Sequence, residues 1–311
     1  MGMLEKIARL RDSVASVFLG DRAVIDRLIR CLLARGHVLI EDVPGVGKTV
    51  LASSIARSID ATFSRIQLTP DMLPADVIGV TIFDREGHRF EFKRGPIFAN
   101  IILADEINRT TPRTQTALLE AMSDGSVSVD GVEHRLAPPF IVLATQNPYE
   151  FEGTYLLPEN QLDRFLMRLS LGYPTAESER RLLDLRPAQT VLDRLSPVLG
   201  TRDIVELQEA VDRVRLSEPI REYIVRFARA TREHDAIEIG LSPRGSLALA
   251  HAARATALMA GRDHVIPEDV LDNIVPVCAH RVFLKGDGSS MKWSAAAGRL
   301  EEIVRTVPSP A

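Results

Sequence analysis

An α/β fold is predicted, with a five-stranded parallel sheet covered by helices on both faces and an all-helical second domain behind it. Three observations carry this. One apolar, strand-like run recurs about every 35 residues through the first half of the chain, with helical stretches between the runs. Several of these runs are apolar throughout, as strands buried on both faces must be. After about residue 175 the strand signals stop and amphipathic helical stretches replace them. Length agrees, since 311 residues at roughly 150 per domain make two domains.

In chain order, a helical segment over 7–17 comes first, and strands are expected at 37–41, 63–68, 101–104, 140–145 and 167–171. Two segments break the rhythm with period-2 alternation. Residues 81–92 turn at Asp84 to Gly87, and residues 127–136 turn at Asp130-Gly131, a strong two-residue hairpin signal. Both read as hairpin insertions projecting from the sheet. The α/β domain is expected over 1–174, a linker marked by Pro174, Pro187 and Pro197 over 175–200, and the helical domain over 201–311, with helices at 204–216, 219–233, 244–259 and 267–283.

Composition excludes several classes of function. The 45% apolar and 26% charged content is that of an ordinary globular chain, so disorder as the main state is excluded. The 38 basic residues are outnumbered by 42 acidic ones, which argues against a surface built to neutralise nucleic-acid backbones. No apolar run reaches the ~18 residues of a membrane span, and the charged N-terminus lacks the core of a signal peptide, so a cytoplasmic protein is expected. Cys31 and Cys278 sit in apolar stretches and read as reduced core thiols. The 7 histidines show no metal-ligand spacing, and no nucleophile motif of a hydrolase is present.

The first strand runs into Asp42, Val43, Pro44, Gly45, Val46, Gly47, Lys48 and Thr49 and then into a helical stretch. A glycine-rich turn between strand and helix aims successive backbone N–H groups at a phosphate, and the helix N-terminus adds its partial positive charge. Lys48 is placed to reach the β- and γ-phosphates of a nucleotide, and the Thr49 hydroxyl to ligate Mg²⁺. Asp42 stands where the general pattern has glycine. The run 101–104 ends in Asp105 and Glu106, two carboxylates at the strand end where open α/β sheets bind ligands. Asp105 is suited to hold Mg²⁺ through water, and Glu106 to orient and deprotonate the water that attacks the γ-phosphate.

Three further positions have two readings each. Asn147, ending the run 140–145, either positions the attacking water or turns the chain ahead of Pro148. Arg164 and Arg168, at i and i+4, either stabilise charge on a transferring phosphoryl group or pair with acids. Ser242-Pro243-Arg244 is a helix-start signature that puts Arg244 at a positive helix end; capping explains the first two residues, and an anion would explain the third.

Together, Gly36 to Thr49, Leu103 to Arg109, Ala144 to Pro148 and Gln161 to Phe165 resemble the MoxR family of AAA+ ATPases, and the likeness runs from about residue 4 to about residue 307. The resemblance implies that Lys48 and Thr49 form Walker A, Asp105 and Glu106 Walker B, Asn147 sensor 1, Arg164 the arginine finger and Arg244 sensor 2, with Arg168 a second finger candidate. Val17 and Phe18 resemble the adenine-contacting stretch ahead of the first strand, and Asp42 is usual in that family. The resemblance further implies ATP and Mg²⁺ as cofactors and a ring, commonly hexameric. It also implies hairpin inserts that touch a target, and protein partners carrying a von Willebrand factor A domain. Two other readings compete with this chaperone: a DNA-remodelling motor of related clades, and a nucleotide-dependent scaffold with incidental hydrolysis. Nucleic acid is disfavoured by the charge balance and by hairpin tips, Asp84 to Gly87 and Asp130-Gly131, that are polar and acidic rather than aromatic.

Overall fold

The computed structural model describes residues 1–43, 45–147, 154–184, 192–286 and 293–310. Its strands are β1 (Val38–Glu41), β2 (Phe63–Gln67), β3 (Gly79–Asp84), β4 (Arg89–Arg94), β5 (Ile101–Asp105), β6 (Ser126–Val129), β7 (Val132–Arg135), β8 (Ile141–Gln146), β9 (Met167–Leu169), β10 (Ile237–Ile239) and β11 (Phe283–Leu284). The helices of the first domain are α1 (Met3–Ala15), α2 (Arg22–Leu33), α3 (Lys48–Ser58), α4 (Pro74–Ile78), α5 (Pro112–Asp124) and α6 (Glu159–Leu162). After them come α7 (Ala176–Asp184), α8 (Thr201–Arg213), α9 (Glu218–Glu233), α10 (Pro243–Met259), α11 (Pro267–Cys278) and α12 (Trp293–Thr306).

All five expected sheet strands form. Their order is β2-β5-β8-β1-β9, and every pairing is parallel. β1, β5 and β8 are buried along their whole length. Because the strands run the same way, their carboxyl ends share one edge, with Glu41 opposite Gln146 and Gln67 opposite Asp105 in register. That edge is where Asp42, Asp105 and Asn147 leave the sheet. The two insertions are antiparallel hairpins, β3 with β4 and β6 with β7. In the second, Asp130 and Gly131 both take positive φ, 51° and 77°, as the sharp two-residue turn requires.

The second domain is helical as expected, with one short pair, β10 and β11, added to it. The chain also forms α7 inside the stretch expected as linker, and α12, which no strong periodicity announces. Its buried positions Trp293, Ala296, Leu300 and Ile303 include a small residue and are widely spaced, so its apolar stripe is thin. One apolar core joins α1, α2 and α3 to the helical domain through Leu28, Ile55, Leu207, Leu249 and Ile274. Cys31 and Cys278 are free and fully buried in it, and burial pushes both thiols up, Cys278 to about 12. Among the described residues no helix is long and apolar enough to cross a membrane.

His37, just before β1, fixes the other side of the sheet. Its Nε2 donates to the Met122 carbonyl at 2.9 Å, and its Nδ1 accepts from the Val142 N–H at 3.0 Å. Desolvation lowers the imidazole to about 4, so the folded protein holds it neutral. A depressed pKa contributes stability that is full above the unfolded value, ~6.5, and is lost as pH falls toward the folded value. Between pH 7 and pH 5 this group should cost the fold about 2 kcal/mol. Urea unfolding of wild type and His37→Asn at both pH values checks this, with a smaller pH-dependent loss expected in the variant.

Candidate functional site

The loop between β1 and α3 is shaped for a phosphate. Gly45 and Gly47 adopt φ of 87° and 94°, a region that a Cβ makes costly, and Gly47 is the residue ahead of the first turn of α3. Lys48 Nζ donates to the Asp42 carbonyl at 2.7 Å, which holds the ammonium over the loop. Burial lowers the lysine from its ordinary value, opposed by Asp42, Asp105 and Glu106. Pro44 lies outside the described residues.

Asp42 does not face the phosphate position with its carboxylate. Oδ2 accepts from Ser170 Oγ at 3.0 Å and from the Leu171 and Gly172 N–H groups at 2.7 and 2.8 Å, while Oδ1 accepts from the Val43 N–H at 2.9 Å. The acid that replaces glycine therefore brackets the loop to the chain leaving β9, and its charge is spent on four donors rather than on repelling an anion. Phe18 is buried against the same loop: a Cβ on Gly47 would meet its ring at 3.5 Å, and one on Gly20 at 2.4 Å. Val17 is buried beside it.

Gly45, Gly47, Lys48, Thr49, Asp105, Glu106, Thr145 and Asn147 line one cavity of about 330 Å³ at the carboxyl edge of the sheet, together with Arg65 and Gln67. The two carboxylates are held by different partners. Asp105 is buried; its Oδ1 accepts from Thr145 Oγ at 3.1 Å and its Oδ2 from Arg65 Nε at 2.7 Å. Thr145 Oγ also accepts the Glu106 N–H at 2.9 Å, so one hydroxyl of β8 orients both acids. Glu106 takes a positive φ of 59°, which turns its side chain out of the strand alternation and into the cavity. Its Oε2 accepts from Gln67 Nε2 at 2.9 Å and lies 3.2 Å from Arg109 Nε.

Arg65, Gln67 and Thr145 are functional-site residues that sequence reasoning missed. Arg65 and Gln67 alternate on edge strand β2, a pattern that reads as a solvated strand face until the register places Gln67 opposite Asp105. Two hard oxygen donors, the Thr49 hydroxyl and the Asp105 carboxylate, suit Mg²⁺ better than any soft metal. Among the described residues no group of three or more His, Cys, Asp or Glu could hold a metal by itself, so the rest of a Mg²⁺ shell would come from water and phosphate oxygens.

The structure does not bring the three arginines into this cavity. Arg164 donates to the Leu119 carbonyl at 2.7 Å and to Ser123 Oγ at 2.5 Å, along α5. Arg244 is exposed in the first turn of α10, whose cap is Ser242, and among the described residues none of the helical domain lines the cavity. Arg168 on β9 is spent on structure: its guanidinium pairs with Glu41 at 2.5 Å and lies 4.6 Å from the centre of the Trp293 ring. Glu41 is 4% exposed, so removing one partner strands the other's charge. Arg168→Ala should therefore cost about 3 to 5 kcal/mol of folding stability, read by urea denaturation, with nucleotide affinity retained at temperatures where the variant folds.

The hairpins carry aromatic rings behind their polar tips. Phe83 and Phe90 form a cross-strand edge-to-face pair at 5.3 Å, exposed just behind the Asp84 turn. Phe92 stacks on His134 at 4.3 Å, which joins the first hairpin to the second.

Comparison with known proteins agrees with this geometry. Residues 37–167 match the ATPase family associated with various cellular activities (AAA), and residues 229–304 match the AAA lid domain. The chain is 48% identical over 299 residues to the uncharacterized protein YeaC of Bacillus subtilis, covering 96% of this chain and 93% of that one. It is 41% identical over 309 residues to chaperone MoxR1 of Mycobacterium tuberculosis, covering 96% and 80%. A crystal structure of a proposed ATPase from Cytophaga hutchinsonii superposes with a TM-score of 0.88 at 36% identity, covering 99% of this chain and 96% of that one.

Proposed function

Because the chain belongs to the MoxR family of AAA ATPases, we propose that it hydrolyses ATP and uses the cycle to remodel or activate protein partners. One observation carries this reading: a glycine loop with Lys48 and Thr49, an acid pair, and Asn147 converge on one cavity from three neighbouring strands. Lys48 and the loop N–H groups bind the phosphates, and Phe18 with Val17 offers an apolar wall for the base. Thr49 and Asp105 would hold Mg²⁺, which when bound supplies positive charge to the β- and γ-phosphates. Glu106 accepts the proton of the attacking water while Asn147 helps orient it. Arg164 completes the site of an adjoining copy in a ring, expected to be a hexamer. Arg244, at the positive end of α10, senses a γ-phosphate.

The partners are expected to be proteins bearing a von Willebrand factor A domain, engaged by the hairpins. The exposed Phe83–Phe90 pair, flanked by Asp84 and Glu86 and by Arg85 and Arg89, fits an apolar protein surface with charged groups around it. ATPase assays with DNA and with a co-encoded von Willebrand factor A protein test this. The partner should change turnover and DNA should not, and deleting 127–135 should remove the partner's effect while basal turnover persists. Stimulation by DNA with indifference to the partner would favour the DNA-remodelling motor.

A further inference from the structure

Asp163 is shared between parts of the fold that are far apart in sequence. Its Oδ1 accepts from Arg281 Nε at 2.7 Å, and its Oδ2 accepts from Ser242 Oγ at 3.1 Å. Ser242 in turn caps α10, its Oγ accepting the Gly245 N–H at 3.0 Å. One carboxylate thus adjoins Arg164 in sequence and bonds the helix end that carries Arg244.

Arg281 extends this connection. Its side chain is 3% exposed and also donates to the carbonyls of Asp163 at 3.2 Å, Phe165 at 2.6 Å and Leu166 at 3.1 Å. His280 Nε2 lies 2.9 Å from the same Phe165 carbonyl. The segment 163–166 is therefore bonded along its length to the turn Ala279–Arg281 of the helical domain. A Cβ on Gly245 would meet Arg281 Cδ at 3.1 Å, so the first turn of α10 packs on the aliphatic stem of this side chain.

We propose that Asp163 is a positioning residue that fixes Arg164 and Arg244 relative to one another, so that a nucleotide meets both guanidinium groups as one unit. This rests on the reading of those two arginines under Proposed function. A guanidinium buried this deeply cannot draw away from its counter-charge without leaving that charge unpaired in a medium of low dielectric. The helical domain and the segment bearing Arg164 therefore move together rather than sliding past each other. Neither Asp163 nor its partners line the chain's own phosphate cavity, so loosening them should change turnover and leave nucleotide affinity alone.

The test uses the assembled protein, steady-state ATP hydrolysis and amide hydrogen exchange. Ser242→Ala and Asp163→Asn should each lower kcat about 10-fold with KM within about 3-fold, since misplacing a charge-stabilising group costs rate rather than binding. The double variant should be less than about 2-fold slower than Asp163→Asn alone, because both changes act through the one contact between Asp163 and the cap of α10, and Ser242→Thr should restore the rate of Ser242→Ala. Adding Arg244→Ala to Ser242→Ala should cost less than about 2-fold more. In Ser242→Ala the amide of Phe165, which bonds the Leu162 carbonyl within the segment that Arg281 holds, should exchange about 10-fold faster. Unchanged kcat in Ser242→Ala, losses that multiply in the double variant, or unchanged exchange at Phe165 would each overturn the proposal. If Arg164→Ala and Arg244→Ala prove harmless alone, the assignment of those arginines fails, and the Phe165 exchange still decides whether the two segments are coupled.

Discussion

Glu106→Gln is expected to bind ATP as wild type does while losing about 10² to 10⁴ of its turnover, the range that a positioned general base contributes. The amide keeps the shape of the side chain and its contact to Gln67, which reaches Oε2 at 2.9 Å, but it cannot take a proton from water. Asp105 cannot substitute, because both of its oxygens are engaged, by Thr145 and by Arg65. Lys48→Ala should fail one step earlier and lose nucleotide binding, since its ammonium is the cation held over the glycine loop. Fluorescent-nucleotide titration and phosphate release separate the two steps, and turnover of Glu106→Gln within a few-fold of wild type would remove Glu106 from its assigned role.

Arg164→Ala should be at least as damaging in assembled protein, because supplying an arginine to a phosphoryl transition state from a neighbour is worth about 10³ to 10⁵ in rate. The side chain lies along α5, bonded to Leu119 and Ser123, and is absent from the residues around its own Lys48. Arg164→Ala subunits keep an intact phosphate loop, and Lys48→Ala subunits keep an intact arginine. Mixing two inactive preparations should therefore restore some hydrolysis wherever the two kinds meet. Specific activity of wild type should also rise with protein concentration. Full activity in a verified dilute monomer would sink this reading.

The glycine loop, the acid pair and the five strands were legible in the sequence because each is a local pattern. A backbone that must take positive φ needs Gly45 and Gly47, and a strand buried on both faces needs an unbroken apolar run such as Ile101 to Ala104. What those residues face is a different matter. Asp42 reads in sequence as an acid beside a phosphate, yet its carboxylate turns to Ser170, Leu171 and Gly172, residues that β9 brings alongside only after the sheet has formed.

Arg164 and Arg168 show the same division. Four residues apart, they read as one helical face, but helix α6 ends at Leu162 and Arg168 falls on β9, so one arginine lies along α5 while the other is half-buried against Glu41 and Trp293. Spacing could not separate them, because the choice depends on where the helix stops and which strand Arg168 pairs with. Thr145, Arg65 and Gln67 join the site only through strand register, a contact between segments about 40 to 80 residues apart that no local pattern encodes. The sequence by itself determined the phosphate loop, the carboxylates and the strand-and-helix rhythm, because these follow from backbone freedom and burial within a few residues. Tertiary structure alone decided which polar groups meet, since pairing a buried charge depends on distances set by the packing of the whole chain.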